Sequence, residues 1–174
     1  MTAPLLTFDT TVGPLTIGAS DTGLTVCSFD SAEEVAGRYP LEPATGAAPQ
    51  WLELAREEIG AYLDGALREF TVPADLRYAH LGDRRILAGL DSVRYGQTTT
   101  YGRLAESLGL PPTAARAVGR AMALNPVLIV VPCHRVLGAG GALIGYAGGL
   151  TVKRRLLDVE AVDRTPQLDL FWNS

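Results

Sequence analysis

The sequence predicts an α+β protein in two parts: a small acidic α+β part over residues 1–79, then a basic, mainly helical part over 80–160, with a tail over 161–174. Three observations predict it. Apolar residues alternate with period two near the start, they recur with helical spacing from Trp51, and the balance of charge reverses near residue 80. Residues 1–80 carry 4 basic and 12 acidic side chains, whereas 81–160 carry 10 basic and 5 acidic ones, an asymmetry hidden in the overall charge of −4. It fits a second part that faces a polyanion, and it also fits scattered solvated charge.

Composition narrows the classes. With 47% hydrophobic and 20% charged residues, the chain is expected to fold as a soluble globular protein. No apolar run approaches the roughly 20 residues of a membrane-spanning helix. The segment from Met1 to Thr10 lacks the basic and apolar regions of a secretory signal, so a cytoplasmic location is expected. Two cysteines, Cys27 and Cys133, are too few for a disulfide framework or a cysteine-rich zinc site.

The elements follow in order. Leu15, Ile17 and Ala19 alternate with Thr16 and Gly18, a turn signal spans Ser20 to Gly23, and Leu24 and Val26 alternate again, which predicts a β-meander. Cys27 lies in the second of these strands and reads as a small core hydrophobe. Pro40 to Pro49 reads as a loop. From Trp51 to Leu63 a helix is predicted, with Leu52, Ala55, Ile59 and Tyr62 inward, Glu53, Arg56, Glu57 and Glu58 outward, and Gly65 just past its end. Phe70 to Pro73 is expected as a further strand and Arg84 to Leu90 as a helix. Tyr101 to Leu108 follows as a helix capped by Thr100, and Ala114 to Leu124 as a helix capped by Thr113 and ended by Asn125-Pro126. This pair has the outline of a helix-turn-helix, an outline that ordinary cores share.

The second helix of the pair is unusual. Ala114, Ala117, Val118, Ala121 and Leu124 form the stripe expected to face the protein, leaving Ala115, Arg116, Gly119, Arg120 and Ala123 on the other side. Glycine inside a helix costs about 1 kcal/mol relative to alanine, so Gly119 needs a reason. Close approach to another surface supplies one, and a DNA minor groove with two arginines nearby is such a surface.

Leu128 to Val131 reads as a buried strand ending at Pro132-Cys133-His134-Arg135. A thiol beside an imidazole is either structural or a nucleophile whose pKa the imidazole lowers. Glu160, on a helix beginning near Thr151, is the candidate to orient His134.

Pro132-Cys133-His134-Arg135-Val136 resembles the active-site motif of the O6-alkylguanine-DNA alkyltransferases, the methylated-DNA–protein-cysteine methyltransferases. Tyr95-Gly96-Gln97, Thr100-Tyr101-Gly102, Ala114 to Gly119, Asn125-Pro126, Gly145 to Leu150 and Lys153 to Glu160 resemble further family blocks in order. Gly13-Pro14-Leu15, Gly23-Leu24 and Ala61 to Gly65 match more loosely. Departures lie at Gly82-Asp83, Ile86-Leu87 and Arg94, and they touch packing rather than chemistry.

The resemblance implies a ribonuclease H-like first domain and a second domain carrying the helix-turn-helix and the reactive cysteine. It implies irreversible, single-turnover transfer of an alkyl group from O6 of guanine in DNA to Cys133, with O4 of thymine as a further candidate substrate. His134 would act as base through a water, Glu160 would orient it, and Asn125 would hold the helix pair against the active-site strand. Arg116 would fill the gap left by a flipped guanine, and Tyr101 would help rotate the base out and donate a proton to it. Thr100, Ala115, Gly119 and Arg120 would join them at the DNA. Arg135, Val136, Tyr146, Ala147 and Gly148 are the implied pocket. No cofactor or metal and a monomer are expected. The alternatives are a protein that recognises alkylated DNA without reacting and, from another class, a Cys-His-Glu hydrolase. Beyond the family core, Gln167-Leu168-Asp169-Leu170-Phe171 resembles the peptide with which bacterial proteins dock on the replication sliding clamp, so Gln167, Leu168, Leu170 and Phe171 are candidate contacts. Packing back onto the chain is the other reading of these apolar residues.

Overall fold

The computed structural model describes residues 4–43 and 46–161. The tail motif at Gln167 to Phe171 lies outside these residues. The meander forms as the alternation predicts: β1 (Leu5–Phe8), β2 (Leu15–Ser20) and β3 (Gly23–Ser28) are antiparallel in the order β1-β2-β3. Every residue of β2 and β3 is buried, so the alternation marks two covered faces rather than one wet and one dry. Gly23 starts β3 at φ 155°, where a Cβ would lie 2.4 Å from the Pro73 carbonyl oxygen, so no larger residue fits.

A helix that the periodicity did not predict follows. In α1 (Ala32–Arg38), Ser31 and Glu34 form a reciprocal capping box, a Ser-x-x-Glu signal present in the sequence. The predicted long helix is α2 (Ala48–Leu63), which packs across β2 and β3 and ends with Gly65 at φ 75°. Glu58 departs from its expected outward place. It is buried, and its carboxylate accepts the Thr71 hydroxyl and the N–H groups of Thr71 and Val72. Those N–H groups are therefore taken by a side chain and Pro73 has none to donate, which is why Phe70–Pro73 forms no strand. The segment reaches the sheet only beyond Val72, in a single bridge of Ala74 to Leu24, with the Leu24 N–H donating to Pro73 O and the Asp75 N–H to Leu24 O.

The second part begins with α3 (Leu81–Ala88), three residues earlier than expected, continuing as a 3₁₀ turn to Ser92. Next come β4 (Thr99–Thr100), α4 (Tyr101–Ser107) and α5 (Ala115–Ala123). Thr100 caps α4 as predicted, accepting from the Arg103 N–H. Thr113 does not cap α5: a 3₁₀ turn over Pro112–Ala114 leads into it, and Ala114 is the N-cap, with no side-chain capping bond. The buried stripe of α5 is Val118, Ala121 and Met122, while Ala117 and Leu124, expected inward, are exposed. Beyond α5, Pro126 to Leu128 joins the free edge of β3, with the Cys27 N–H donating to Pro126 O and the Leu128 N–H to Cys27 O. β5 (Val136–Leu137) pairs in parallel with β4, and α6 (Leu150–Ala161) closes the described chain. A single cluster of buried apolar residues runs from Val12 to Leu156 through both parts. No described helix is long and apolar enough to cross a membrane.

Replacing Glu58 by Ala leaves buried N–H groups unpaired at about 1–3 kcal/mol each. Urea unfolding should show Glu58→Ala destabilised by about 2–4 kcal/mol, while exposed Glu57→Ala changes by under about 0.5 kcal/mol.

Candidate active site

Leu128 to Val131 is not the expected strand. It turns: the Val131 N–H donates to Val127 O, the Val130 N–H to Leu128 O, and Ile129 sits at φ 70°. A left-handed β-branched residue costs on the order of 1–3 kcal/mol and persists only where its surroundings fix it. Asn125 does so, its Nδ2 donating to Val131 O at 3.0 Å and its Oδ1 accepting the Val127 N–H at 3.0 Å. A short apolar run has no periodicity that separates a buried strand from a buried turn. Asn125 thus braces the turn that carries Cys133, from the position the sequence assigns to it.

Cys133 is buried and lines a cavity of about 200 Å³ with Tyr101, Gly119, Met122, Ala123, Gly145, Tyr146 and Ala147. The cavity lies against α5, and a Cβ on Gly119 would stand 3.9 Å from the Tyr101 ring. The Tyr101 hydroxyl donates to Ile144 O at 3.4 Å. Tyr146 meets Phe29 edge to face, and its hydroxyl is buried without a hydrogen-bond partner. Three residues expected in the pocket lie elsewhere. Gly148 does not line it; a Cβ there would come within 2.6 Å of Phe29, so this glycine lets the loop close onto the first part of the chain. Val136 is buried in β5. Arg135 is buried against Glu160 and lines a separate groove of about 580 Å³ bordered by Phe70, Leu76 and Tyr95.

Behind Cys133 stands a buried network centred on Glu160. Its Oε1 accepts from the Tyr62 hydroxyl at 2.6 Å, His134 Nε2 at 2.8 Å and Arg135 Nη2 at 3.0 Å. Its Oε2 accepts from Arg135 Nε at 3.0 Å and from the Gly96 N–H at 3.0 Å. Burial pushes the Glu160 carboxyl up, but hydrogen bonds and charge from His134 and Arg135 outweigh it and hold it at about 2. A carboxylate only accepts, so His134 Nε2 carries the proton in the neutral ring and Nδ1, unpaired in this structure, keeps its lone pair. Burial pushes the imidazole below its ordinary value against the pull of Glu160, so the ring is neutral at neutral pH. The Cys133 thiol does not follow the expected lowering by His134. Burial pushes it up to about 11, although a hydrogen bond with Asn125 and the charge of Lys153 pull the other way. Lys153 had no predicted role. It is fully buried, its ammonium donating to Val136 O and Ile144 O at 2.7 Å and to Gly145 O at 2.9 Å, which ties the pocket loop to β5. It is the one lysine in the sequence, a signal that would have singled it out.

On the outer side of α5, Arg116 is exposed and Ala115 half-buried. Arg120, expected beside Arg116 at the DNA, pairs with buried Asp83 at 2.7 Å. Among the described residues no group of three or more His, Cys, Asp or Glu side chains could hold a metal ion.

Residues 82–162 match the family described as 6-O-methylguanine DNA methyltransferase, DNA binding domain. A methylated-DNA–protein-cysteine methyltransferase of Mycolicibacterium paratuberculosis is 42% identical over 166 residues, covering 95% of this chain and 96% of the relative. The chain belongs to the methylated-DNA–protein-cysteine methyltransferase family. The Mycobacterium tuberculosis O6-methylguanine methyltransferase crystal structure superposes with a TM-score of 0.78 at 37% identity, covering 98% of this chain and 99% of that one. The Mycobacterium tuberculosis OGT in complex with DNA gives 0.75 at 40% identity, covering 90% and 91%. The mixed α/β architecture is therefore that of known members of this family.

His134 and Glu160 both have folded pKa values below their ordinary ones, so on acidification the unfolded chain binds more protons and stability falls. Urea unfolding against pH should show one loss beginning below 6.5, as His134 charges in the unfolded chain, and a second from 4.5 towards about 2 as Glu160 protonates. Glu160→Gln should shrink the second stage, leaving the part that comes from carboxylates such as Asp75, whose hydrogen bonds also hold it below its ordinary value.

Proposed function

We propose that this chain repairs alkylated DNA by moving the alkyl group from O6 of guanine irreversibly onto Cys133. The observation that carries the reading is the Cys133 thiol on the wall of a small cavity between Tyr101 and Tyr146, backed by the neutral His134 and ionised Glu160. The similarity to a family member solved with DNA supports DNA as the partner. In the reaction the sulfur forms a bond to the alkyl carbon as the carbon–O6 bond breaks, its electron pair going to guanine. The thiol proton passes through a water to His134 Nδ1, and guanine gains a proton from the Tyr101 hydroxyl. Because burial keeps the resting thiol protonated, the base acts as transfer occurs rather than on a stored thiolate. The product is a thioether with no carbonyl for water to attack, so each molecule reacts once. This separates the reading from a hydrolase, and the presence of Cys133 separates it from a recognition-only protein.

α4 and α5 act as a helix-turn-helix that enters the minor groove through Ala115, Arg116 and Gly119, with Thr100 and Tyr101 at its base. Arg116 fills the space of the flipped guanine. Residues 1–79 form a ribonuclease H-like structural domain and 80–160 the reactive one. The protein works as a cytoplasmic monomer without a cofactor, and O4-alkylthymine is a second substrate. Residues 167–171 dock on a bacterial sliding clamp; a clamp pull-down should succeed with the full chain and fail after truncation at Asp163, and equal capture of both overturns that assignment.

Intact mass after incubation with a duplex carrying O6-methylguanine should show a single added methyl, stoichiometric with lesion lost and absent in Cys133→Ala. Lesion binding without a mass change would make this a recognition protein. Unstacking a base costs a few kcal/mol, so Arg116→Ala should slow repair of duplex lesions by about tenfold or more while leaving reaction with a free alkylated base unchanged.

A further inference from the structure

Tyr62 comes from α2, in the part of the chain that the sequence assigns to structure alone, yet its hydroxyl ends in the centre of the catalytic network. It is fully buried, packed against Phe70 and edge-on to Tyr95, with its oxygen 2.6 Å from Glu160 Oε1 and 3.1 Å from His134 Nε2. The donor and acceptor inventory fixes the arrangement. Glu160 only accepts, so the single Tyr62 hydrogen points to Oε1. The same carboxylate oxygen takes the Nε2 hydrogen of His134, and the lone pairs of the Tyr62 oxygen face that nitrogen.

We propose that Tyr62 is a positioning residue for alkyl transfer, whose hydroxyl shares the charge of Glu160 and so limits how firmly that carboxylate holds His134 in its protonated form. This rests on the reading of Cys133 as the alkyl acceptor and of His134 as its base. The two Tyr62 contacts oppose each other. Donation to Glu160 weakens the pull of the carboxylate on imidazolium, whereas the hydroxyl oxygen beside Nε2 favours imidazolium. The O–H···O⁻ bond is the shorter and is charge-assisted, about twice as strong as a neutral one, so donation decides the sign. The other charged and titratable groups around the ring are Glu160 and Lys153 from α6 and Arg135 and Cys133 on its own turn, all of which remain when Tyr62 is changed.

Tyr62→Phe keeps the ring and removes only the hydroxyl. In this variant the His134 titration followed by nuclear magnetic resonance should move up by about half a unit to one unit. The acidic limb of the single-turnover rate should move to higher pH by the same amount, with DNA affinity unchanged. Only His80, which is exposed, shares the histidine spectrum. A folded Tyr62→Phe protein with an unmoved His134 titration overturns the proposal, even if transfer slows. Phe70→Leu, which disturbs the same packing without touching a hydrogen bond, should lower stability and leave the titration in place; an equal shift there assigns the effect to packing and overturns it too. Should Tyr62→Phe not fold, the wild-type nitrogen shifts decide: Nε2–H with a bare Nδ1 is expected, and the opposite tautomer overturns the arrangement. None of these titrations requires alkyl transfer, so loss of the proposed activity and loss of this inference are told apart.

Discussion

A buried carboxylate with five donors from three separate pieces of chain is the constraint on which the site depends. Glu160 takes Tyr62 from α2, His134 and Arg135 from the turn after Cys133, and the Gly96 N–H from the loop before β4. Taking a charge out of water costs several kcal/mol, and it is recovered only when every lone pair is met in good geometry. Removing one partner of a buried pair is therefore worse than never having had the pair, at about 3–5 kcal/mol. The network has one arrangement that satisfies it. That arrangement fixes α2, α6 and the Cys133 turn relative to each other, and it fixes which nitrogen of His134 bears the proton.

The second constraint acts on the cysteine itself. A strand would spend the backbone of residues 128–131 on a ladder and carry the chain straight on. The turn folds it back, with the Cys133 N–H donating to Val131 O and Asn125 closing the loop from inside. Its start is clamped to β3 by the two bonds between Cys27 and the Pro126–Leu128 segment, so the meander of the first part fixes the place of Cys133 in the second. Burial keeps the Cys133 thiol protonated. On the proposed reading, selectivity then comes from the geometry of transfer rather than from a standing thiolate, which would react with any electrophile that reached it.

Much of this was legible in the sequence, and the exceptions have physical reasons. The structure brings Cys133 and Tyr101 to one cavity and His134 to Glu160, residues that the motifs named together, because local sequence encodes a cap or a helix start. Tyr62 and Glu160 are 98 residues apart, and nothing local to α2 marks its one tyrosine as a ligand of a carboxylate. The resemblance implied Arg135 as a pocket residue, but residues of a 3₁₀ turn point in different directions, and its guanidinium goes to Glu160 and Val93 O. Glu58 fell on the polar side of the helical wheel. The wheel counts charges as solvated, whereas this one satisfies two N–H groups of a segment without a ladder. The strand assigned to 128–131 failed for the reason that short apolar runs report burial and not conformation.

The surface of α5 shows how pairing reshapes a charge pattern. Two arginines one turn apart are both expected at the DNA, but the Arg120 guanidinium pairs at 2.7 Å with Asp83, whose side chain is only 2% exposed. The pair holds α3 to α5, and the sequence hides it because Asp83 lies 37 residues away. Arg116 is exposed and flanked by Ala115, Ala117 and Gly119, while Arg120, also exposed over half of its side chain, has its guanidinium on Asp83. On the proposed reading, α5 then contributes little long-range attraction and much shape: small side chains that let the backbone come close, and one planar cation able to stack where a base has left. A helix built for affinity through phosphates would carry its charges free and its side chains long. On that reading, this one commits one of its two charges to Asp83 and keeps its outer face thin, which suits entry into a groove more than adhesion to a backbone.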